Sequence, residues 1–402
     1  MTETWTLAAL WLGLALAATM ISIWLRFATA LSEIMVGTIA QLVIGAVVGT
    51  AALGAGEPWI KFLSGTGAIV LTFLAGAELD PAVFRRKWKE ASAVGLASFL
   101  APFLACAAGA RWILGWSPMS SWLAGVAMST TSVAVVYAVM LEFGFNVTDY
   151  GKTVLAACFV TDLGTVVALG VIFSPFTART LAFAGVGVAV FAVLPWLTPR
   201  FFRRYGGRPS ELEAKFLLFF LFGMGALASW ADSEAVLPAY LVGMVLAGTV
   251  GKDHALVRRL RTLTFGLLTP FYFIRAGSFV SVPALVAAPA AVVVFLLLKM
   301  SAKFAGVWPV TRAFGAPRQE AAYTTLLMST GLTFGTISAL FGLSHRIIDQ
   351  GQYSALVAAV IGSAVVPTLI ANAFFFPHHR LHQAVKTVDS APAAAAPRDP
   401  GR

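Results

Sequence analysis

Asp162 is the only acid in the apolar run VLAACFVTDLGTVVALGVIF, and it stands directly after Thr161. A carboxylate near a bilayer centre costs roughly 2.5–3.5 kcal/mol on insertion scales, so its presence points to ion or proton chemistry. One carboxylate can hold a proton or a dehydrated Na+ or K+, but not both well, and competition at one site amounts to exchange. Two further apolar segments carry matching polar clusters, Met128-Ser129-Thr130-Thr131-Ser132 and Met328-Ser329-Thr330-Gly331. Hydroxyl side chains compete for backbone hydrogen bonds, and a glycine lowers helix stability by about 1 kcal/mol relative to alanine. Both segments therefore read as broken helices, interrupted around Ser129 and around Ser329, Thr330 and Gly331. Thr161, Thr131, Thr130 and Ser132 are candidates to supply neutral oxygens to a hard monovalent cation. The plainer alternative is that these hydroxyls only pack helices together.

Such residues need a membrane scaffold. Of 402 residues 59% are hydrophobic and 11% charged, against about 25% charged in soluble domains, and the mean hydropathy is +0.84. With about 20 apolar residues per span, thirteen transmembrane helices are expected, roughly at 5–24, 31–53, 63–79, 91–113, 119–141, 152–175, 180–199, 215–232, 234–250, 263–282, 283–306, 319–342 and 353–376. Asp162 is the only acid this reading places deep in a membrane. Of the 28 Lys and Arg, only Lys61, Arg111, Arg179 and Arg346 fall on one face and Arg275, Lys299 and Lys303 within spans, while the rest cluster on the other face. By the positive-inside rule the N-terminus lies outside and the C-terminus in the cytoplasm of a bacterial-type inner membrane.

The net charge of +10 follows from that bias, with attraction to anionic lipid, and calls for no nucleic acid. The first apolar stretch reads as a retained signal anchor, and 377–402 as a disordered cytoplasmic tail with no soluble gating domain appended. Cys106 and Cys158 read as small buried hydrophobes. The histidines show no metal-ligand spacing, and neither a cofactor nor a metal beyond a transported Na+ or K+ is expected.

The two broken segments lie seven spans apart, a displacement that reverses the direction of crossing. Spans 1–6 and 8–13 then form inverted repeats, with span 7 (about 180–199) as linker in a transmembrane domain of residues 1–376. Paired interrupted helices of this kind point to a transport site at the midplane.

With FLAGAELD at 73–80, STTSVAVVYAVMLEFG at 129–144, VTDLG at 160–164, PFYFIRAG at 270–277 and AKFAG at 302–306, the chain resembles the monovalent cation:proton antiporter-2 family, which includes NapA-like and Kef-like sodium or potassium/proton antiporters. The resemblance runs over about residues 5–376 and implies an all-α polytopic membrane protein with the NhaA/NapA-like antiporter fold. It further implies that broken helices cross beside the aspartate, and that a moving core works against a panel that also forms a homodimer. Members that move net charge carry two adjacent acids where this chain has Thr161 and Asp162, so the resemblance implies electroneutral 1:1 exchange, Na+ ahead of K+. Lys303 matches the family's lysine of the eleventh span, which pairs with an acid or steadies the crossing.

Lys303 is accordingly a charge-compensating candidate for Asp162, and Lys299, one turn earlier, is an alternative partner. Arg275 is expected to pair with Glu78, a possible accessory acid, or with a broken-helix carbonyl. Glu78 and Glu142 also fit salt bridges to the basic loops. Snorkelling is the plainer reading of both lysines. The rival classes are a sodium/organic-anion symporter of the bile-acid type, a cation channel and an intramembrane hydrolase. The hydrolase lacks a HExxH pair, a GxSxG turn or a second deep aspartate, and an enzyme is not expected.

Overall fold

The computed structural model describes residues 2–25, 29–47, 53–77, 81–143, 145, 148–173, 177–231, 233, 235–287 and 289–377. Among them every regular element is helical: α1 (Thr2–Leu25), α2 (Thr29–Val47), α3 (Pro58–Ala77), α4 (Pro81–Trp112), α5 (Pro118–Ser129), α6 (Val133–Glu142), α7 (Asp149–Phe173), α8 (Ala178–Tyr205), α9 (Leu212–Trp230), α10 (Val236–Leu246), α11 (His254–Leu263), a π turn (Thr264–Leu268), α12 (Thr269–Ser278), α13 (Val282–Ala287), α14 (Pro289–Ala313), α15 (Arg318–Met328), α16 (Thr333–Ser344) and α17 (Gln350–Phe374). Glu78, Asp80 and nearly all of the 377–402 tail lie outside the described residues.

Nine of the described helices are long and apolar enough to cross a membrane, taking Arg318–Ser344 as one, and Thr29–Ile44 and Val236–Leu246 are shorter apolar helices. The chain is a polytopic, all-helical membrane protein. Several expected spans are interrupted. The fifth is α5 plus α6, the twelfth is α15 plus α16, and the tenth enters through the π turn before α12. The ninth is only the 11-residue α10, about 16 Å at 1.5 Å per residue, roughly half of a hydrocarbon core.

Local chemistry sets the ends. Ser117 caps α5 by accepting from Ser120 N, with Pro118 in the first turn, a position where proline's missing N–H costs nothing. Asp349 and Gln352 form a reciprocal capping box at α17. α4 bends at Lys87 (φ −112°, ψ 20°), which separates a short basic segment from the apolar stretch that follows.

Two packed bodies result. One gathers α4, α5, α7 and α14–α17 around buried residues such as Phe103, Met128, Tyr323 and Tyr353. The other joins α3 and α8–α11 around Phe73, Leu221 and Leu246. Trp11 of α1 stacks on Phe271 of α12 at 5.2 Å, and α12 packs along α2. In the second body α3 and α10 touch backbone to backbone, because a Cβ on Gly76 would lie 2.3 Å from Tyr240 O and one on Gly243 would lie 2.2 Å from Phe73 O. Small residues permit such close approach where no hydrophobic force separates helix from lipid. A hydrogen bond from Tyr240 OH to Phe159 O (3.0 Å) ties α10 to α7.

Candidate functional site: Asp162 beside a broken-helix crossing

The backbone breaks follow from the hydroxyl clusters. Ser129 Oγ donates to Val126 O (2.8 Å) and Thr130 Oγ1 to Ala127 O (3.1 Å), and the chain then turns extended at Thr130 (φ −62°, ψ 152°). In the second break Ser329 Oγ donates to Thr325 O and Thr330 Oγ1 to Leu327 O, both at 2.7 Å. The two breaks meet directly. Ser132 N donates to Thr330 O (2.9 Å) and Thr131 Oγ1 to Met328 O (2.8 Å), so each break satisfies backbone groups that the other has freed, as buried polar groups require. The C-terminal ends of α5 and α15, with their partial negative charge, meet the N-terminal ends of α6 and α16 there.

Asp162 is 1% exposed. It lines a cavity of about 240 Å³ together with Thr72, Thr131, Tyr137 and Thr333. Asp162 Oδ1 and Thr72 Oγ1 are buried with no hydrogen-bond partner among the described residues. Leaving polar atoms in that condition costs about 1–3 kcal/mol each, more for a charged group, unless a proton or cation serves them. A second cavity of about 570 Å³ shares Leu74, Val133, Tyr137 and Arg261 with the first, and it continues past Lys152, His254 and Arg258. The cavity beside Asp162 therefore adjoins a larger one whose far lining is basic. On that side Arg259 donates to Glu211 (2.6 Å), a hydrogen bond that raises the guanidinium above its ordinary value.

The structure sorts the sequence candidates. Thr131 reaches the cavity, whereas Thr161 does not. The Thr161 hydroxyl lies 3.1 Å from both Gly95 O and Ala157 O, against α4, because consecutive residues on a helix point about 100° apart. Ser132 and Thr130 serve the crossing through their backbone and local hydrogen bonds.

Lys303 lies close enough to Asp162 for the two charges to interact, without a direct ion pair. Its ammonium donates to Ser98 Oγ (2.7 Å), Thr131 Oγ1 (3.0 Å) and Ser129 O (3.1 Å), and none of the ion pairs among the described residues joins it to Asp162. The lysine sits at the carbonyl end of α5, where a positive charge is favoured. Lys299 donates to Ser363 Oγ (3.1 Å) instead of to Asp162.

Arg275 Nε donates to Ala55 O (3.0 Å) and its guanidinium lies 5.0 Å from the Phe279 ring, contacts that belong to neither break. The expected partner Glu78 lies outside the described residues. Besides Asp162, Glu33 in α2, Glu213 in α9 and Glu320 in α15 are buried among the described residues, and α2 packs on α1 and α12. Thr72, Ser98, Tyr137 and Ser363 escaped notice, since single hydroxyls in apolar spans carry no pattern.

Replacing Thr131 with Val is expected to raise the half-saturating cation concentration about tenfold, the scale of one lost polar contact to a charged group. Thr161→Val should change it less than about twofold, since its hydroxyl faces α4. Cation titrations of proton flux would read both, and equal effects would remove the distinction.

A family model described as "Sodium/hydrogen exchanger, transmembrane" matches residues 11–376. The glutathione-regulated potassium-efflux system protein KefC of Enterobacter sp. (strain 638) is 26% identical over 324 residues, 76% of this chain and 51% of that protein. Cation/H(+) antiporter 17 of Arabidopsis thaliana is 25% identical over 379 residues, 86% of this chain and 46% of that protein. The chain thus spans about half the length of these curated relatives. The solved structure of the sodium proton antiporter MjNhaP1 from Methanocaldococcus jannaschii superposes with a TM-score of 0.69 at 15% identity, covering 96% of this chain and 99% of that one, so the fold is shared. With a family match over almost the whole helical region, around a buried carboxylate beside crossed helix breaks, the chain belongs to the sodium/hydrogen exchanger family of transmembrane transporters and is not an enzyme.

Proposed function

We propose that the protein exchanges a monovalent cation, Na+ ahead of K+, for H+ at Asp162 by alternating access. The observation that carries this reading is the buried Asp162 Oδ1 on a cavity shared with Thr72 Oγ1 and Thr131, neither Asp162 Oδ1 nor Thr72 Oγ1 having a hydrogen-bond partner among the described residues. A cation entering from the basic side would displace the proton on Asp162 and take oxygens from these side chains. Reprotonation would release it, so neither ion crosses alone. One carboxylate, with a neutral threonine before it, supports 1:1 electroneutral exchange. The relatives, a potassium-efflux system protein, a cation/H(+) antiporter and a sodium proton antiporter, agree with this chemistry.

The same reading takes residues 1–376 as a thirteen-span domain of inverted repeats with N-terminus outside, working as a homodimer in an inner membrane. α8 and α1, which turn Leu181, Val188, Trp196, Ile23 and Trp24 outward, offer apolar surface to lipid or a second copy. The test is proton flux in proteoliposomes holding a pH gradient, on addition of Na+, K+, Li+ or choline, with and without a voltage clamp. Dissipation by Na+ or K+ but not choline, insensitive to voltage, is the expected result. Absence of cation-driven proton movement would overturn exchange and favour an organic-anion symporter.

A further inference from the structure

α14 presents Lys299 and Lys303 four residues apart, on one face, and both are 0% exposed. Lys303 binds the first break directly. Lys299 has no carboxylate within ion-pair distance among the described residues, and its hydrogen bond leads instead toward the second break. Its Nζ donates to Ser363 Oγ of α17 (3.1 Å), and that oxygen lies 3.3 Å from Gly331 O and 2.8 Å from Val360 O. A Cβ built on Gly331 would lie 2.3 Å from Lys299 Nζ and 2.7 Å from Thr130 Oγ1, so the ammonium packs against the glycine itself, at the place where the second break comes close to the first. The neighbouring Thr330 carbonyl accepts from Ser132 N (2.9 Å), beside Thr131, which lines the Asp162 cavity.

An apolar side chain of similar volume would pack at this position at lower desolvation cost. The placement fits an electrostatic task, since α15 ends at Met328 and its carbonyl end favours a nearby cation. We propose that Lys299 is a positioning residue for cation exchange: through Ser363 it holds the second break at Gly331, so that the crossing keeps Thr131 turned toward Asp162. This rests on the exchange function proposed above. Each break then has its own lysine, Lys303 for the first and Lys299 for the second, and the pair on one helix face couples the two half-crossings to α14.

The test is a concentration series of Na+ and K+ at fixed pH in proteoliposomes, for the parent and for Lys299→Met, Lys299→Arg, Ser363→Ala and Asp162→Asn, each checked for monodispersity and melting temperature. Lys299→Met is expected to raise the half-saturating cation concentration about tenfold with a smaller change in maximal rate. Ser363→Ala should shift it in the same direction, and Lys299→Arg should recover most of the parental value. Should Lys299→Met fail to fold, Ser363→Ala and Lys299→Arg carry the test. Parental half-saturation in Lys299→Met or, where that variant does not fold, in Ser363→Ala overturns the proposal, as does equal impairment in the Met and Arg variants. If the parent itself moves no protons with any cation, the exchange reading fails and takes this inference with it, an outcome recognisably different from parental behaviour in the variants alone.

Discussion

Asp162→Asn is expected to abolish cation-driven proton flux, by at least about a hundredfold, or about 2.7 kcal/mol in apparent barrier, while the protein stays folded. Asparagine keeps the volume and the hydrogen-bonding shape of the acid but can neither release a proton at working pH nor balance an entering cation. The fold should tolerate the change because no ion pair among the described residues uses Asp162 and its Oδ1 has no partner there to lose. Removing a buried ionisable group relieves a desolvation cost instead of opening a cavity. The melting temperature in detergent is thus expected to equal or exceed the parental one. Flux at the parental rate in Asp162→Asn would show that the cavity is not the exchange site, and a variant that loses both flux and folding would assign the aspartate a structural part.

Gly243→Val should have the largest effect on stability. A Cβ at Gly243 would lie 2.2 Å from Phe73 O and 2.9 Å from Ala77 N, and the facing Gly76 is equally tight against Tyr240 O at 2.3 Å. The obstructing atoms are backbone, so no rotamer change can make room, and α3 and α10 must separate. Overpacking in a close-packed interior costs about 1–3 kcal/mol, and a β-branched side chain against a main chain belongs at the upper end of that range. Leu74 and Ala77 of α3 line the entrance cavity, so transport should fall along with stability. Gly13→Val is the control, because a Cβ there would meet nothing within 4 Å. Melting curves and size-exclusion profiles of the two variants would check this. A Gly243→Val protein as stable as Gly13→Val would mean that the α3–α10 contact is looser than the structure shows.

The side chain of Arg275 illustrates how far charge signs carry a sequence reading. An arginine in an apolar span must find an acceptor, and that much follows from its desolvation cost. Which acceptor it finds depends on helices far away in sequence, and here it is Ala55 O, 220 positions off. Lys303 repeats the lesson, since its position on a span was legible but its choice of Ser98, Ser129 O and Thr131 over Asp162 was not. The lysine reaches the carbonyl end of a half-helix whose ending could be foreseen from its hydroxyls, but whose distance from α14 could not.

The sequence by itself determined the membrane-embedded, all-helical character of the chain, the buried carboxylate at Asp162 and the two places where the backbone breaks. These depend on local quantities, namely hydropathy over some 20 residues, the cost of a lone acid and the competition of Ser, Thr and Gly with helical hydrogen bonds. Only packing settles that Thr131 and Thr72 share a cavity with Asp162 while Thr161 turns to α4, that each break finds its partner in the other, and that Lys303 donates to the first break while Lys299 donates to Ser363. A helix places its residues about 100° apart around its axis, and only the helices packed against it settle which of those directions becomes the site.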